Sequence, residues 1–237
     1  MKIDSVKLFA DKIRVPSFAA PVNRPRLIEL LDKSTAQFAA TLITGRAGMG
    51  KTILAADYAE QSQCQVAWYK AETADGDWKV FSSYLLGSLS RCCPDFDLQK
   101  FEANALPVAS ASELLAAQFN CAADGKSFLI VLDDLHSVFD AVWFTEFFNS
   151  FVPSLSPNLH LLMIARTLPP LQLWRLRSKQ VLGVMDENLL NFNLEETKRF
   201  FRRHKLSAAV ANTAHKRTYG RISKLAEIAE KKVSGAV

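Results

Sequence analysis

An apolar, β-branched run, Ala40-Thr41-Leu42-Ile43-Thr44, breaks into Gly45-Arg46-Ala47-Gly48-Met49-Gly50-Lys51-Thr52 and resumes as helical Ile53-Leu54-Ala55-Ala56. This is a complete G-x-x-x-x-G-K-S/T pattern in its proper setting, a strand before it and a helix after it. Glycines let the backbone curl so tightly that successive N–H groups and the helix N-terminus aim at one anion. The expected cradle is therefore Gly45, Arg46, Ala47, Gly48, Met49, Gly50, Lys51, Thr52 and Ile53. Lys51 reaches β- and γ-phosphates, and the Thr52 hydroxyl ligates Mg2+. ATP or ADP with Mg2+ is the ligand such a loop takes.

A second apolar run, Phe128-Leu129-Ile130-Val131-Leu132, ends in Asp133-Asp134. A buried strand finishing on a carboxylate delivers charge to the C-terminal edge of a parallel sheet, where a P-loop also lies. Asp133 is assigned to Mg2+, usually through water, and Asp134 to orienting or deprotonating the attacking water. Taken alone, the pair also fits two solvated aspartates in a turn. Arg166 is the first polar residue after a third run, Leu161-Leu162-Met163-Ile164-Ala165. It is either a surface arginine closing a strand or, if that strand lies between the other two, a guanidinium facing the γ-phosphate. Lys51, Asp134 and Arg166 are thus the candidate catalytic residues; Thr52 and Asp133 are the metal candidates.

Between these runs the pattern alternates. Strands are expected at Phe38–Thr44, Gln65–Lys70, Ser127–Asp133, Leu159–Ala165 and Gln180–Met185, and helices at Lys51–Gln61, Trp78–Arg91, Ala111–Ala122 and Val142–Phe151. Such alternation predicts an α/β fold, a five-stranded parallel P-loop sheet with helices on both faces. Cys93–Ser110, with Pro94 and Pro107, reads as irregular. The segment Pro21-Val22-Asn23-Arg24-Pro25-Arg26-Leu27 reads by default as a helix start. After Met185 strand signals stop. Glu195–Lys205, capped by Asn193, and Ile222–Lys232 are helical. The expected division is a nucleotide-binding domain over 1–185 and a small helical subdomain over 186–237.

The net charge of +5 resides wholly in that second part, where 11 Lys and Arg face 6 Asp and Glu. Its densest stretch, Lys198-Arg199-Phe200-Phe201-Arg202-Arg203-His204-Lys205, reads as the solvated face of a helix with both phenylalanines turned inward. Sharper alternatives are an acidic partner surface or nucleic-acid phosphates, though nothing resembles a base-reading module and direct DNA binding by this segment is not expected. No apolar run approaches the ~20 residues that span a bilayer, and Met1–Ser5 opens no signal peptide. A cytoplasmic protein with no membrane contact is expected. Cys64, Cys92, Cys93 and Cys121 are expected to be reduced and mostly buried; neither they nor the four histidines have ligand spacing.

These motifs, taken with others, resemble the nucleotide-binding region of the signal-transducing ATPases with numerous domains, in the maltose-regulon-activator (MalT) type of large LuxR-like transcription regulators. The resemblance runs through Val22-Asn23-Arg24-Pro25-Arg26-Leu27, the P-loop, Trp68-Tyr69, Asp75-Gly76-Asp77 and Phe81-Ser82-Ser83-Tyr84-Leu85. It continues in Leu132-Asp133-Asp134-Leu135-His136, Ala165-Arg166, Leu168-Pro169, Leu173-Trp174-Arg175-Leu176-Arg177 and Leu190-Asn191-Phe192 with Glu195-Glu196. It implies that Val22 and Arg24 line the adenine and ribose side, that Arg166 senses the γ-phosphate, and that His136 packs or hydrogen-bonds rather than catalyses. It further implies a closed resting form locked by ADP, which inducer plus ATP opens and drives to self-associate. In relatives a winged helix supplies a histidine to the ADP phosphates. The sequence stops at Val237 without one, and Gly220-Arg221-Ile222 stands where many relatives have Gly-Trp. The expectation is that further domains or a partner chain complete the site, or that the chain is naturally short.

Overall fold

The computed structural model describes residues 10–17, 22–96 and 106–235. Met1–Ser5, Pro21 and residues 97–105 of the stretch expected to be irregular lie outside them. Five strands form one parallel sheet: β1 (Ala40–Thr44), β2 (Gln65–Lys70), β3 (Phe128–Asp133), β4 (Leu159–Ala165) and β5 (Leu182–Met185). Their order across the sheet is β2-β3-β4-β1-β5.

β1, β3 and β4 are buried along their whole length because both faces are covered, while β2, at one edge of the sheet, exposes Gln65 and Lys70 at its ends. Ala40 and Leu42 of β1, Ile130 and Leu132 of β3, and Leu161 and Met163 of β4 face a core built on α3 (Trp78–Cys92), α4 (Val108–Ala123) and α5 (Phe144–Phe151). Ile43, Leu129, Val131, Leu162 and Ile164 face the other way, against α1 (Pro25–Gln37) and α2 (Lys51–Gln61). The first face is strongly aromatic, with Phe147 stacked on Phe151 and edge-on to Phe81. Two short helices, α6 (Leu173–Ser178) and α7 (Glu187–Leu190), flank β5. Then α8 (Leu194–Arg203), α9 (Ala208–Thr218) and α10 (Ile222–Val233) enclose a third core of Phe192, Phe200, Phe201, Ala211, Ala214, Leu225 and Ala229.

Several expected boundaries shift for local reasons. β1 starts at Ala40, not Phe38, because Phe38 caps α1 and its N–H bonds Ser34 O. β5 starts at Leu182, because Gln180 turns with a φ of 54° and Val181 N–H closes α6 on Leu176 O. Cys93–Phe96 make a turn, and α4 begins at Val108, three residues earlier than Ala111. Val142 stands 99% exposed, so α5 begins only at Phe144. The thiols differ from expectation: Cys93 alone is buried and Cys121 is exposed, although all four are free. Phe200 and Phe201 do turn inward. No helix among the described residues is long and apolar enough to cross a membrane.

Candidate functional site

Because β4 lies between β1 and β3, the three runs singled out in the sequence end side by side on one sheet edge. Along that edge stand Lys70 from β2, Asp133 and Asp134 from β3, Arg166 after β4, the P-loop after β1, and Glu187 beyond β5. Gly45 N–H bonds Ala165 O, so the loop leaves β1 against the strand that carries Arg166. Gly50, at a φ of 75°, precedes α2 in the left-handed region that side chains avoid, and this turns the loop into the helix.

Lys51 is buried and donates to the carbonyls of Gly45 and Arg46, the latter at 2.9 Å. Burial lowers its pKa, Arg166's charge adds to this, and Asp134 opposes it. Phosphate oxygens would offer this ammonium a charged acceptor in place of two carbonyls. Thr52 Oγ1 donates to Asp133 Oδ1 at 3.1 Å. Asp133 is 1% exposed and also takes Asp134 N–H at 2.9 Å. Burial, then Asp134's charge, lifts its carboxyl to about 6. A hydroxyl and a desolvated carboxylate at this separation suit a hard divalent cation, whose charge would reverse the cost of ionising Asp133.

Asp134 has a φ of 51°, and its carboxylate lies 3.9 Å from both Lys70 Nζ and His136 Nδ1. His136 Nδ1 is buried without a hydrogen-bond partner, and burial followed by Arg166's charge lowers its pKa. Arg166 itself is exposed, and its charge is felt at both Lys51 and His136. Lys51, Thr52, Asp133, Asp134, His136 and Arg166 are therefore one electrostatic cluster.

The remaining expected residues divide. Met49 is buried under the loop, whereas Ala47 and Gly48 are exposed on it. Ile53, in the first turn of α2, also lines a groove with Val15 and Pro16. Val22 packs with Phe192 in the third core. Arg24 donates to Leu190 O at 2.6 Å and lies over the Phe192 ring, with its pKa drawn down by burial to about 10, so it stays charged. Both thus sit at the joint between the sheet and the helical subdomain.

Sequence reasoning missed two residues here: Lys70 and Glu187. Glu187 holds the Arg46 guanidinium in a two-pronged ion pair and also accepts Arg46 N–H at 3.3 Å. Only the charge of these residues could have marked them, because nothing in the linear pattern says that β2 and β5 end near the loop.

No protein-family model matches the chain. It is 32% identical over 205 residues to the HTH-type transcriptional regulator MalT of Vibrio cholerae, a match covering 84% of this chain and 22% of that protein. It is 34% identical over 187 residues to MalT of Serratia proteamaculans, covering 76% and 20%. The chain thus spans about a fifth of the length of these curated relatives. Among solved structures, a signal transduction ATPase with numerous domains from Pyrococcus horikoshii, bearing a tetratricopeptide repeat sensor, superposes with a TM-score of 0.60. That match covers 93% of this chain and 31% of the other at 16% identity, a likeness of fold.

Proposed function

We propose, for a chain that is MalT-like in sequence and has the fold of a P-loop ATPase, that it is the ATP/ADP–Mg2+ switch of a regulatory ATPase controlling transcription. One observation supports this above the others: the strand order draws Lys51, Thr52, Asp133, Asp134 and Arg166 to a single edge. In this reading the P-loop amides and Lys51 hold the phosphates, while Thr52 and Asp133 hold Mg2+, which neutralises charge on the phosphate oxygens. Asp134 orients the attacking water, and Arg166 distinguishes ATP from ADP. Val22 and Arg24 shape the adenine and ribose side from the joint they brace. Hydrolysis is slow, since the sequence offers no evident arginine finger in cis, a group worth ~10³–10⁵ in rate. Its nucleotide-dependent change of shape drives self-association.

The experiment is to denature purified protein, identify the released nucleotide, and titrate the emptied protein with ATP and ADP by calorimetry. Lys51→Ala should keep the fold and lose affinity about 10- to 100-fold, the worth of a charge-assisted contact. Equal binding by variant and parent removes the assignment. A second reading, a scaffold that binds nucleotide without turnover, is favoured by Asp134 standing close to Lys70 and His136. Asp134→Ala separates the two, because a scaffold has no phosphate release to lose.

A further inference from the structure

β5 ends the sheet: β1 lies on one side of it, and among the described residues no strand lies on the other. Ala40 N–H bonds Val181 O, and the register sets Ala40 against Leu182 and Leu42 against Val184. Backbone groups alternate in direction along a strand. Val181 and Gly183 therefore turn theirs toward β1, and Leu182 and Val184 turn their N–H and C=O outward. Among the described residues these outward groups have no hydrogen-bond partner. The side chains are mostly covered all the same, with Leu182 2% and Met185 4% exposed. What stays open is the backbone.

A groove of about 480 Å³ runs along this edge. Leu30, Lys33 and Gln37 of α1 line it, with Arg177 and Gln180 before β5 and Leu189 of α7 after it. Gly183 lets α1 come this close, since a Cβ there would meet Ser34 Oγ and stand 2.9 Å from Phe38 Cδ2. No P-loop residue borders the groove, nor does Asp133, Asp134 or Arg166, so it is separate from the nucleotide edge. Exposed strand edges are commonly guarded by a charge, a proline or a bulge. Leu182-Gly183-Val184-Met185 carries neither charge nor proline, and its register with β1 is unbroken. The charge stands beside the strand instead. Lys33 and Arg177 have no ion-pair partner among the described residues, and no acidic residue lines the groove. A second copy pairing edge to edge would bring its own Lys33 and Arg177 into the same joint, like charge on like.

We propose that this groove takes an extended acidic segment of a partner protein, which adds a strand to the sheet beside β5. Leu182 and Val184 bond its main chain, its apolar side chains lie on Leu30 and Leu189, and its carboxylates answer Lys33 and Arg177.

Amide hydrogen exchange, read by NMR at Leu182 and Val184, tests this with three octapeptides. One alternates Glu and Val, one alternates Lys and Val, and the third is the acidic peptide with every amide N-methylated. The expected result is that the acidic peptide alone slows exchange at both residues, about tenfold when saturating. Lys33→Glu with Arg177→Glu, both exposed positions, should transfer the effect to the Lys-Val peptide while the melting midpoint stays as in the parent. No slowing by millimolar acidic peptide overturns the proposal and leaves β5 a short edge that nothing joins. Equal slowing by the acidic and basic peptides overturns it as well, because charge would then select nothing. So does equal action by the N-methylated peptide, which would place binding away from the strand's backbone. Slowing that grows with protein concentration in the absence of peptide would make a second copy the occupant, again against the proposal.

Discussion

Burial holds the Asp133 carboxyl at about 6, with Asp134's charge pushing the same way. A carboxyl raised in the fold keeps its proton there while the unfolded chain has lost it, so this group favours folding as pH falls from about 6 toward 3.8. Mg2+ must displace that proton. Mg2+-dependent ATP affinity should accordingly drop below about pH 6, as calorimetry at several pH values with and without Mg2+ would show. Asp133→Asn should abolish the Mg2+ increment at every pH, and an increment that survives the substitution removes Asp133 from the metal. His160 acts with the opposite sign. It lies 2.9 Å from both Phe38 O and Thr41 Oγ1, and burial lowers its pKa to about 4. The unfolded chain takes up this proton first, so stability is full above pH 6.5 and is lost as pH falls toward 4. The whole effect amounts to about 3 kcal/mol. Because Asp133 partly offsets it in wild type, the informative measurement is urea unfolding of His160→Gln beside the parent at pH 7 and pH 5. The parent's stability should fall relative to the variant's; parallel behaviour would show that His160 is not held neutral.

At the scale of elements, what was legible followed from how side chains declare their surroundings. Buried strands announce themselves by unbroken apolar runs, and all five were found, β2 and β4 with their ends. Helix α2 was legible because the P-loop fixes where it starts. Helix α9 was not: its buried positions are Ala211 and Ala214, too small to give a periodic apolar signal, and Ser207 as its cap was overlooked. In the site, residues inside a motif were legible, while those arriving by tertiary placement (Lys70, Glu187) were not. The same limit hid Lys12. It lies in a 3-10 turn at Ala10–Ile13 and pairs with Asp75, 63 residues away and 1% exposed, at 2.7 Å. Asp75 also caps its own turn by accepting Glu72 N–H at 2.8 Å. Burial works against the charge of Lys12, but Asp75 and Glu72 outweigh it and raise the pKa. Lys12→Met strands a desolvated carboxylate, so denaturant unfolding should register a loss of about 3 kcal/mol. Lys12→Met with Asp75→Asn should recover part of it. A single variant within ~0.5 kcal/mol of the parent would mean the pair is a surface ornament of the kind that contributes little.

For the molecule as a whole, the lead-in segment, the chain leaving β5 and the start of α10 meet in one knot. Arg24 holds Leu190 O, and Arg26 holds Leu189 O and both oxygens of Glu196, the latter at 3.0 Å. Glu196 is buried and closes the capping box of α8 with Asn193. Phe192 N–H bonds Gly220 O at 2.8 Å, which ties the exit from the sheet to the residue just before Arg221. In the proposed switch the helical subdomain moves against the sheet, and this knot is where that motion is set. Gly220 is its most exacting point: its φ is 78°, and a Cβ there would stand 1.9 Å from Phe192 O. No side-chain rotation relieves a clash with backbone, and the left-handed backbone alone costs about 1–3 kcal/mol in other residues. Gly220→Ala should therefore leave the sheet and its two cores folded while the subdomain loses its seat. Hydrogen exchange should quicken throughout residues 194–233 and hardly change in β1, β3 and β4, and nucleotide affinity should weaken as the start of α10 loosens beside the P-loop glycines. If exchange in 194–233 stays at the parent's rate, subdomain position is fixed elsewhere. If it quickens uniformly in both parts, sheet and subdomain unfold as one unit, and a switch that moves one against the other has no joint to use.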